Sequence, residues 1–363
     1  MIGMKRVYHL EGIRNFRDLG GYETPYGETS YGVVYRGGEL SKIDQKGADA
    51  LAKMGIKTVL DLRDERFYEE RPDRTLNDPR FVNHHVVVNG NGRVPTSRQD
   101  GLASYDEMVE EKESAARVWR AILASEKPLY LHCAIGKDRT GVFAFLLLLA
   151  NGVCFDDANG DYLLSFAYIA DLAEEVRAGR QYFPADLIAG DELFMLDWYR
   201  AFLKRHGTLR HYFEEIGLSQ DEINLLCNLL GKREKSCGAV VLNQEGQVLV
   251  EEMALGHLSI PKGHVEVYDK DEEDTARREI REETGFEVSF IPGFRYHIAY
   301  SPYPGIAKDV YFFLASIVGG EQKAQLEEVK AIRFLPFNEA EALVTHQSDK
   351  EVLAQAEAFL KRR

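Results

Sequence analysis

"LHCAIGKDRTG" (residues 131–141) places Cys133 six positions before Arg139, between the apolar run "KPLYLHC" and an apolar helix. A short apolar run that ends in a polar loop is typical of a parallel strand buried on both faces. The loop is short enough to wrap as a ring of backbone N–H groups, and the following helix adds the positive end of its dipole. A free thiol ionises with a pKa of about 8.5 and needs such surroundings to react at neutral pH. The pattern predicts that Cys133 is a nucleophile.

The residues around Cys133 have distinct predicted roles. The planar guanidinium of Arg139 can hold two oxygens of an anion and stabilise their charge in a transition state. Thr140 can donate a hydroxyl hydrogen bond to the sulfur, and His132 is expected to fix the loop rather than to take a proton. The substrate-binding loop comprises Ala134, Ile135, Gly136 and Lys137. The alternative is a buried core thiol followed by ordinary charges at a helix start.

A second stretch, "PKGHVEVYDKDEEDTARREIREETGF" (residues 261–286), indicates a different chemistry. A helix over 271–284, closed by Gly285, would place Glu279, Glu282 and Glu283 on one face. Three like charges on one face repel and need a cation, and oxygen ligands favour Mg²⁺ or Mn²⁺, which can bridge phosphate oxygens. The alternative is a solvated, charged helix.

Composition limits the classes of protein to consider. The chain has 363 residues, of which 45% are hydrophobic and 29% charged, which is typical of two globular domains. The net charge of −14 argues against a nucleic-acid partner or an anionic membrane surface, so an anionic substrate needs local basic groups. Four irregularly spaced cysteines favour neither a disulfide framework nor a zinc site. No apolar leader or long apolar run is visible, so we expect a cytoplasmic protein without membrane insertion.

The coarse pattern changes once along the chain. The first part, residues 1–232, alternates short apolar runs such as "IKTVLDLRD" with helical stretches and becomes helical from about 153 to 230. From "KSCGAVVLN" onward, β-type runs surround one highly charged helix and precede a terminal helix. We therefore predict an α/β domain with a mostly parallel sheet and a helical C-terminal block, followed by a second domain over 233–363.

The first part resembles a known family. "HCAIGKDRTG", together with "IRNFRDLGGY", "LDLRDERFYEERPDR" and "DYLLSFAY", is similar to bacterial tyrosine-phosphatase-like enzymes of dual or triple specificity. The resemblance implies the cysteine-phosphatase fold, a cysteinyl-phosphate on Cys133, and Arg139 as the phosphoryl clamp, without a cofactor. It implies phosphotyrosine, other phosphomonoester or phosphoinositide substrates.

Two aspartates compete for the role of proton donor to the leaving oxygen. The resemblance makes Asp138 the preferred candidate and Asp64 its rival, whereas the plain alternative is an ion pair with Arg17 or Arg63. In similar enzymes a lysine at the position of Lys137 adds positive charge at the rim of the site and accompanies substrates with more than one phosphate.

The second part resembles the Nudix hydrolases, which have an α/β/α sandwich fold. The resemblance implies that the Gly263 carbonyl and the three glutamates bind metal, that Glu282 or its neighbours position water, and that Arg278 orients the glutamates. This loop carries one extra residue relative to the family, so the first acidic position of the motif falls on Asp269 or Lys270. We expect a modified turn at "VEVYDK" and an active site.

The tail is similar to Nudix enzymes acting on diadenosine polyphosphates or diphosphoinositol polyphosphates. Glu327 or Glu328 is then a candidate for a further metal ligand or base, and Lys262 and Lys308 are candidates for contact with the phosphate chain. The sequence predicts a bifunctional hydrolase of phosphorylated small molecules or phosphoproteins and leaves its oligomeric state open. The alternative is a single-activity phosphatase whose Nudix domain senses nucleotides.

Overall fold

The computed structural model describes residues 6–88, 95–178, 191–266, 268–323 and 329–363. The chain forms two compact units. The first contains Met1–Lys232 with Ser301–Ala307, and the second contains Arg233–Tyr300 with Lys308–Arg363. Among the described residues, no helix combines the length and the apolar character needed to cross a bilayer.

The first unit is built on a five-stranded sheet with the order β1-β4-β7-β5-β6. Its strands are β1 (Arg17–Asp18), β4 (Val34–Gly37), β5 (Thr58–Asp61), β6 (Val82–His85) and β7 (Leu129–His132), and a separate hairpin joins β2 (Glu23–Thr24) to β3 (Gly27–Glu28). The four strands β4, β7, β5 and β6 are parallel, and β1 is antiparallel to β4. The mostly parallel α/β sheet predicted from the apolar runs is confirmed. The carboxyl ends of its strands form one edge, where ligands of such sheets bind.

Helices flank this sheet and form the predicted helical block after it. They are α1 (Gln45–Lys53), α2 (Glu65–Glu70), a 3₁₀ helix (Arg74–Asn77), α3 (Arg98–Glu110), α4 (Lys112–Ala124), α5 (Arg139–Ala150), α6 (Phe155–Tyr168), α7 (Ala170–Arg177), α8 (Phe194–His206), α9 (Leu209–Glu215) and α10 (Gln220–Leu226). Every residue of α5 from Thr140 to Leu148 is buried. A helix that is apolar on all sides lies inside a domain, so α5 forms the centre of the unit.

The second unit contains a seven-stranded sheet with the central order β10-β9-β8-β13-β12, to which β11 adds beside β8 and β14 beside β9. The strands are β8 (Lys232–Leu242), β9 (Val248–Met253), β10 (Leu258–Ser259), β11 (Lys262–His264), β12 (Phe286–Tyr300), β13 (Ile306–Gly320) and β14 (Val329–Leu335). The helices are α11 (Glu272–Thr284), α12 (Phe337–Leu343) and α13 (Gln347–Lys361).

Alternating residues of β8 face two separate cores. Cys237, Ala239 and Val241 pack with Ile280 of α11, whereas Val240 and Leu242 pack with residues of α12 and α13. This two-residue period shows that helices cover both faces of the sheet. The predicted α/β/α sandwich is therefore confirmed.

Candidate active sites

Cys133 follows β7 directly, and α5 begins six residues later at Arg139. The loop carbonyls between them are bound by the surrounding scaffold. The Ala134 carbonyl accepts from the backbone N–H of Glu39 at 3.1 Å, and the Gly136 carbonyl accepts from Arg36 Nη2 at 2.7 Å. Within the described part of the chain, no backbone carbonyl accepts from the N–H groups of residues 134–138. The loop therefore offers a ring of donors to an anion beside the sulfur.

Gly136 makes this loop geometry possible. Its φ is +71°, in the left-handed region that favours glycine. A Cβ at this position would also lie 2.4 Å from the backbone of Gly37, so a side chain would force the loop away from β4. Asn15, which also has a positive φ of 58°, donates from Nδ2 to the Gly136 carbonyl at 2.9 Å. The positive φ angles of Gly136 and Asn15 thus stabilise the conformation of the loop.

A buried ion cluster supports Asn15 and Gly136 from below. Asp161 of α6 accepts from Arg17 Nε at 2.7 Å and from Arg36 Nη1 at 2.5 Å, and all three side chains are fully buried. Burial alone would raise the pKa of Asp161, but the two guanidinium groups lower it to about 2. Arg17 also donates to the Asn15 side chain. The cluster therefore connects α6 to both residues that bind the Gly136 carbonyl. The ion pair considered for Asp138 or Asp64 with Arg17 is absent from the described contacts, since Arg17 pairs with Asp161.

Arg139 lies between the sheet edge and α2. Its Nε donates to the Val88 carbonyl at 2.8 Å, and its Nη2 donates to Asp64 Oδ2 at 3.1 Å. Asp64 is also the N-cap of α2 and accepts from the backbone N–H of Phe67. This carboxylate thus orients the guanidinium, which gives Asp64 a positioning contact in addition to its predicted candidacy as proton donor.

Asp138 is held by two donors on the same oxygen. Tyr105 Oη donates to Asp138 Oδ1 at 2.9 Å, and Lys137 Nζ donates to it at 2.6 Å. Burial tends to raise the pKa of Asp138, but Lys137 and the Tyr105 hydrogen bond lower it below its ordinary value. The side chain remains about a third exposed. Asp138 is therefore a fixed carboxyl group at the entrance to the cysteine loop.

The expectation of a charge at the rim is wrong for Lys137. Its side chain is only 7% exposed and lies over the ring faces of Tyr162 and Phe166. Its ammonium group faces these two rings of α6 and donates to Asp138. Its predicted contact with substrate stays a prediction.

His132 and Thr140 lie on either side of the loop. His132 is fully buried with Nε2 at 2.9 Å from Asp73 Oδ2 and Nδ1 at 3.2 Å from the Cys133 carbonyl oxygen. The Thr140 hydroxyl is buried and has no hydrogen-bond partner among the described residues, so its predicted bond to the sulfur is not formed in this structure. A buried hydroxyl without a partner is costly, and it is available to an incoming group.

In the second unit, β11 lies against α11, and Gly263 approaches the Glu279 carboxylate. A Cβ on Gly263 would lie 2.1 Å from that carboxylate, so glycine alone allows this approach. The predicted helix is confirmed: it begins after the N-cap Asp271 and ends at Gly285, which has a φ of +77°. Strand β11, which carries the Gly263 carbonyl, therefore lies next to the acidic helix α11.

Arg278 joins the loop to the acidic helix. Its Nε and Nη2 donate to the two oxygens of Asp269 at 3.0 and 2.8 Å, and Nη2 also donates to the His264 carbonyl. Asp269 further accepts from Thr275 Oγ1 and from the backbone N–H of Glu266. Four donors hold this carboxylate and lower its pKa well below the ordinary range, with the Arg278 hydrogen bonds as the largest cause. Of the two positions left open by the sequence, Asp269 braces the loop.

The three glutamates do not converge. Glu279 and Glu283 have side chains that are mostly buried, whereas the Glu282 side chain is 47% exposed. Arg278 Nη1 donates to Glu279 at 2.8 Å and to Glu282 at 3.1 Å. Consecutive helical residues point about 100° apart, so Glu282 and Glu283 diverge. Sharing one face does not place their oxygens at one point.

A set of three possible ligand atoms within 4.8 Å of one another occurs, in the described ranges, at Asp61, Asp73 and His132. This set is an ion cluster, because the Arg63 guanidinium contacts both carboxylates. In the second unit, the candidate metal ligands are the Gly263 carbonyl and the carboxylates of Glu279 and Glu283. All of them are oxygen atoms, which Mg²⁺ and Mn²⁺ prefer. The close approach of Gly263 to Glu279 fits such an ion.

The predicted phosphate-binding lysines lie beside this acidic group. Lys262 Nζ donates to Ser259 Oγ, and Lys308 Nζ lies 3.4 Å from His264 Nε2. Burial lowers the pKa of Lys308, and the charge of Lys262 lowers it further. An anion bound near both ammonium groups would reduce this repulsion. Glu327 and Glu328 lie outside the described residues.

The comparisons with known proteins match both parts of the chain. A model described as "Tyrosine phosphatase family" matches residues 8–231. The chain belongs to the tyrosine phosphatase family. A NUDIX domain model matches residues 232–356, so a Nudix hydrolase domain follows the phosphatase domain. The protein is an enzyme of these two hydrolase classes.

Individual relatives cover each part. The triple specificity protein phosphatase PtpB of Mycobacterium tuberculosis is 27% identical over 277 residues, covering 62% of this chain and 99% of the relative. A tyrosine-protein phosphatase of Nostoc commune is 29% identical over 217 residues, covering 54% and 74%. The asymmetrical bis(5'-nucleosyl)-tetraphosphatase of Mus musculus is 37% identical over 108 residues, covering 29% and 72%. A solved Caenorhabditis elegans Ap4A hydrolase complex is 22% identical, covers 36% and 99%, and has a TM-score of 0.33.

The sequence did not reveal several residues that build the phosphatase site. Asn15, Arg36 and Asp73 lie far from Cys133 in sequence, yet they contact its loop or the residue before it, and Asp161 holds Arg36 in place. Asn15 and Asp161 stand within the quoted stretches "IRNFRDLGGY" and "DYLLSFAY". Asn15 is one of several polar residues in the first stretch, so the pattern alone did not single it out.

Asp269→Asn tests the brace of the Nudix site. The variant places an amide N–H₂ where Arg278 now finds two acceptors, so we expect the metal-dependent activity to fall by about 10- to 100-fold and the Mg²⁺ requirement to rise. The measurement is phosphate-anhydride hydrolysis against Mg²⁺ concentration. Lys270→Ala, at the rival position, is the matched control and should leave both values unchanged. Equal losses in the two variants would contradict the assignment of the brace to Asp269.

Proposed function

We propose that the chain is a bifunctional hydrolase with a cysteine-dependent phosphomonoesterase site and a Mg²⁺-dependent pyrophosphohydrolase site. The observation that carries the first activity is the loop at Cys133, whose Ala134 and Gly136 carbonyls are bound to the scaffold while no described backbone carbonyl uses the N–H groups of residues 134–138. A phosphate dianion fits such a ring of donors, and Arg139 adds a fixed positive charge.

The proposed reaction at Cys133 has two steps. The thiolate attacks phosphorus, the bond from phosphorus to the ester oxygen breaks, and the leaving oxygen takes a proton from an aspartate. Water then attacks the cysteinyl-phosphate, gives its proton to the same carboxylate, and releases phosphate and thiolate. The buried Thr140 hydroxyl can donate to the sulfur as it leaves in the second step.

Asp138 is our candidate for the proton donor, because Tyr105 and Lys137 fix its carboxyl group at the loop. Since the pKa of Asp138 is lowered, the protonated carboxyl group, which is the form that can donate, becomes scarcer as pH rises from the acidic range. Asp138→Asn should therefore reduce hydrolysis of an alkyl phosphate, which has a poor leaving group, by about 100-fold or more, and that of an activated aryl phosphate far less.

Asp64→Asn is the comparison variant for this prediction. Asp64 contacts Arg139, so its loss should slow both substrates to a similar extent. Steady-state rates for the two esters, measured across the acidic and neutral range, distinguish the roles. If Asp138→Asn slows the hydrolysis of both esters equally, Asp138 is not the proton donor.

In the Nudix unit, Gly263, Glu279 and Glu283 would hold the metal ion, with Glu282 at the exposed side of the site. A Mg²⁺ ion held by these residues would supply neutralisation of phosphate charge and a more acidic bound water. Lys262 and Lys308 would bind the phosphate chain, and Arg278 keeps the loop and the acidic helix together. The observation that carries this activity is the Arg278–Asp269 brace, which holds the acidic helix against β11 despite the extra loop residue.

The proposed substrates are phosphate esters for the cysteine site and polyphosphate anhydrides for the Nudix site. The Mus musculus relative is named a bis(5'-nucleosyl)-tetraphosphatase, and its similarity covers the Nudix unit. The Mycobacterium tuberculosis relative is named a triple specificity phosphatase, and its similarity covers the cysteine site. We propose dinucleoside or diphosphoinositol polyphosphates for the Nudix site and phosphotyrosine, inositol phosphates or phosphoinositides for the cysteine site.

A product-release assay tests these assignments. The intact chain is given a phosphotyrosine peptide, an inositol polyphosphate, a diphosphoinositol polyphosphate and diadenosine tetraphosphate, each with and without Mg²⁺. We expect metal-independent phosphate release from monoesters and metal-dependent cleavage of anhydrides. Binding of diadenosine tetraphosphate without any cleavage would instead support the Nudix unit as a nucleotide-sensing module.

A further inference from the structure

A cluster of buried charges lies beneath the cysteine loop. Arg63 contacts Asp61 at 2.6 Å, Asp73 at 3.1 Å and Glu39 at 3.0 Å. Arg71, which is partly exposed, contacts the second oxygen of Glu39 at 3.0 Å. His132 completes the cluster through its 2.9 Å contact with Asp73. The cluster connects β5, the 3₁₀ helix and the residue immediately before Cys133.

Both ring nitrogens of His132 lie close to oxygen atoms, and only the Nδ1 contact has hydrogen-bond geometry. Nε2 lies 2.9 Å from a carboxylate oxygen of Asp73, and Nδ1 lies 3.2 Å from the carbonyl oxygen of Cys133. Neither oxygen can donate a proton when the carboxylate is ionised. A neutral imidazole carries one N–H and would leave one contact without a hydrogen. The Nε2–Asp73 contact lacks hydrogen-bond geometry, so it acts as a close charge contact, and a carboxylate at 2.9 Å favours the positively charged imidazolium.

The charges of the cluster lead to the same result. Its carboxylates are Glu39, Asp61 and Asp73, and its guanidinium groups are Arg63 and Arg71. With a neutral histidine this buried group would carry an excess negative charge, which is costly to bury. A protonated His132 balances the charges.

The other groups near His132 do not change the charge balance of the cluster. Asp61 lies 3.9 Å from Nδ1, and the Tyr130 ring stacks on the imidazole with its hydroxyl donating to the Gly38 carbonyl. Burial and Arg63 tend to lower the pKa of His132, but Asp73 and Asp61 raise it to about 9. His132 is therefore charged at neutral pH.

We propose that Asp73 is a positioning residue for the cysteine chemistry, because its carboxylate holds His132 as an imidazolium directly beside the Cys133 nucleophile. The fixed charge favours the thiolate, and the Nδ1–H bond to the Cys133 carbonyl sets the start of the loop. This inference rests on the proposed role of Cys133, but not on the identity of the substrate. Asp73 stands within the quoted stretch "LDLRDERFYEERPDR", but its distance from Cys133 in sequence hides its contact with His132.

Alkylation of Cys133 by iodoacetamide tests the proposal without a substrate. Asp73→Asn preserves the shape of the side chain and removes its charge. We expect its alkylation rate at about pH 6 to fall by about tenfold or more, with recovery at about pH 9. The matched control is Asp18→Asn, another buried carboxylate, bonded to the backbone N–H groups of Gly20 and Gly32 and absent from the cluster. Its alkylation profile should match that of the unaltered chain.

Nitrogen NMR of the histidine rings provides a test on the unaltered intact chain. We expect both ring nitrogens of His132 to carry protons at about pH 7.5, as the raised pKa requires. A neutral ring at that pH, or equal alkylation profiles for Asp73→Asn and Asp18→Asn, would overturn the proposal. If the alkylation and NMR results are as expected but phosphomonoesters are not hydrolysed, the proposed function fails and the inference about Asp73 stands.

Discussion

Cys133→Ser is expected to abolish phosphomonoester hydrolysis while leaving Mg²⁺-dependent anhydride cleavage unchanged. A serine hydroxyl has a pKa far above that of a thiol, so the loop donors that would favour a thiolate leave the hydroxyl un-ionised at neutral pH. Loss of an essential nucleophile lowers kcat by about four orders of magnitude or more. The measurement is phosphate release from an aryl phosphate, with anhydride hydrolysis measured on the same preparation.

Cys227→Ser is the matched control for this experiment. Cys227 is a free, partly buried thiol of the same unit, and it takes no part in the cysteine loop. Its substitution should leave both activities intact. Retention of monoester hydrolysis by Cys133→Ser would remove Cys133 from the mechanism, and loss of both activities in that variant would indicate a folding defect or a shared site.

The second large effect concerns the acidic helix. Glu282→Gln combined with Glu283→Gln should silence the metal-dependent reaction by about a thousandfold or more, because two of its carboxylates become neutral and bind Mg²⁺ weakly. Phosphomonoester hydrolysis should remain at its original rate. Both rates are measured across a range of Mg²⁺ concentrations, so that weakened metal binding is distinguished from a lost catalytic step.

Glu273→Gln is the control on the same helix. Glu273 is exposed in the first turn of α11 and has no predicted metal contact. It should behave like the unaltered chain. Full anhydride hydrolysis by the double variant would exclude these glutamates as ligands, and a matching loss in Glu273→Gln would indicate a general effect of charge on the helix.

Local patterns predicted most of the fold and the centre of each site. The apolar run before Cys133 became β7, and the charged stretch became α11 with Asp271 as its N-cap and Gly285 as its end. These features depend on neighbours in sequence, such as a capping side chain, a left-handed glycine, or a strand followed directly by a loop. These features can therefore be predicted from the sequence alone.

The residues that the sequence did not predict act through distant contacts. Arg17 and Asp161 are 144 positions apart, and the Asp73 partner of His132 belongs to a different element. Lys137 was misplaced at the rim because the aromatic side chains that cover it come from α6. The spacing of the glutamates along one face of a helix was predicted correctly. The position of Arg278 between Glu279 and Glu282 was not, because it depends on the loop held by Asp269.

The central claim is that one chain contains two hydrolytic sites with unrelated chemistry, and selective inactivation of a single preparation tests it most directly. One sample is treated with iodoacetamide and another with EDTA, and phosphomonoester and anhydride hydrolysis are measured in both. We predict that alkylation removes only the first activity and that EDTA removes only the second, with recovery when Mg²⁺ is added. Loss of both activities under either treatment would contradict the claim.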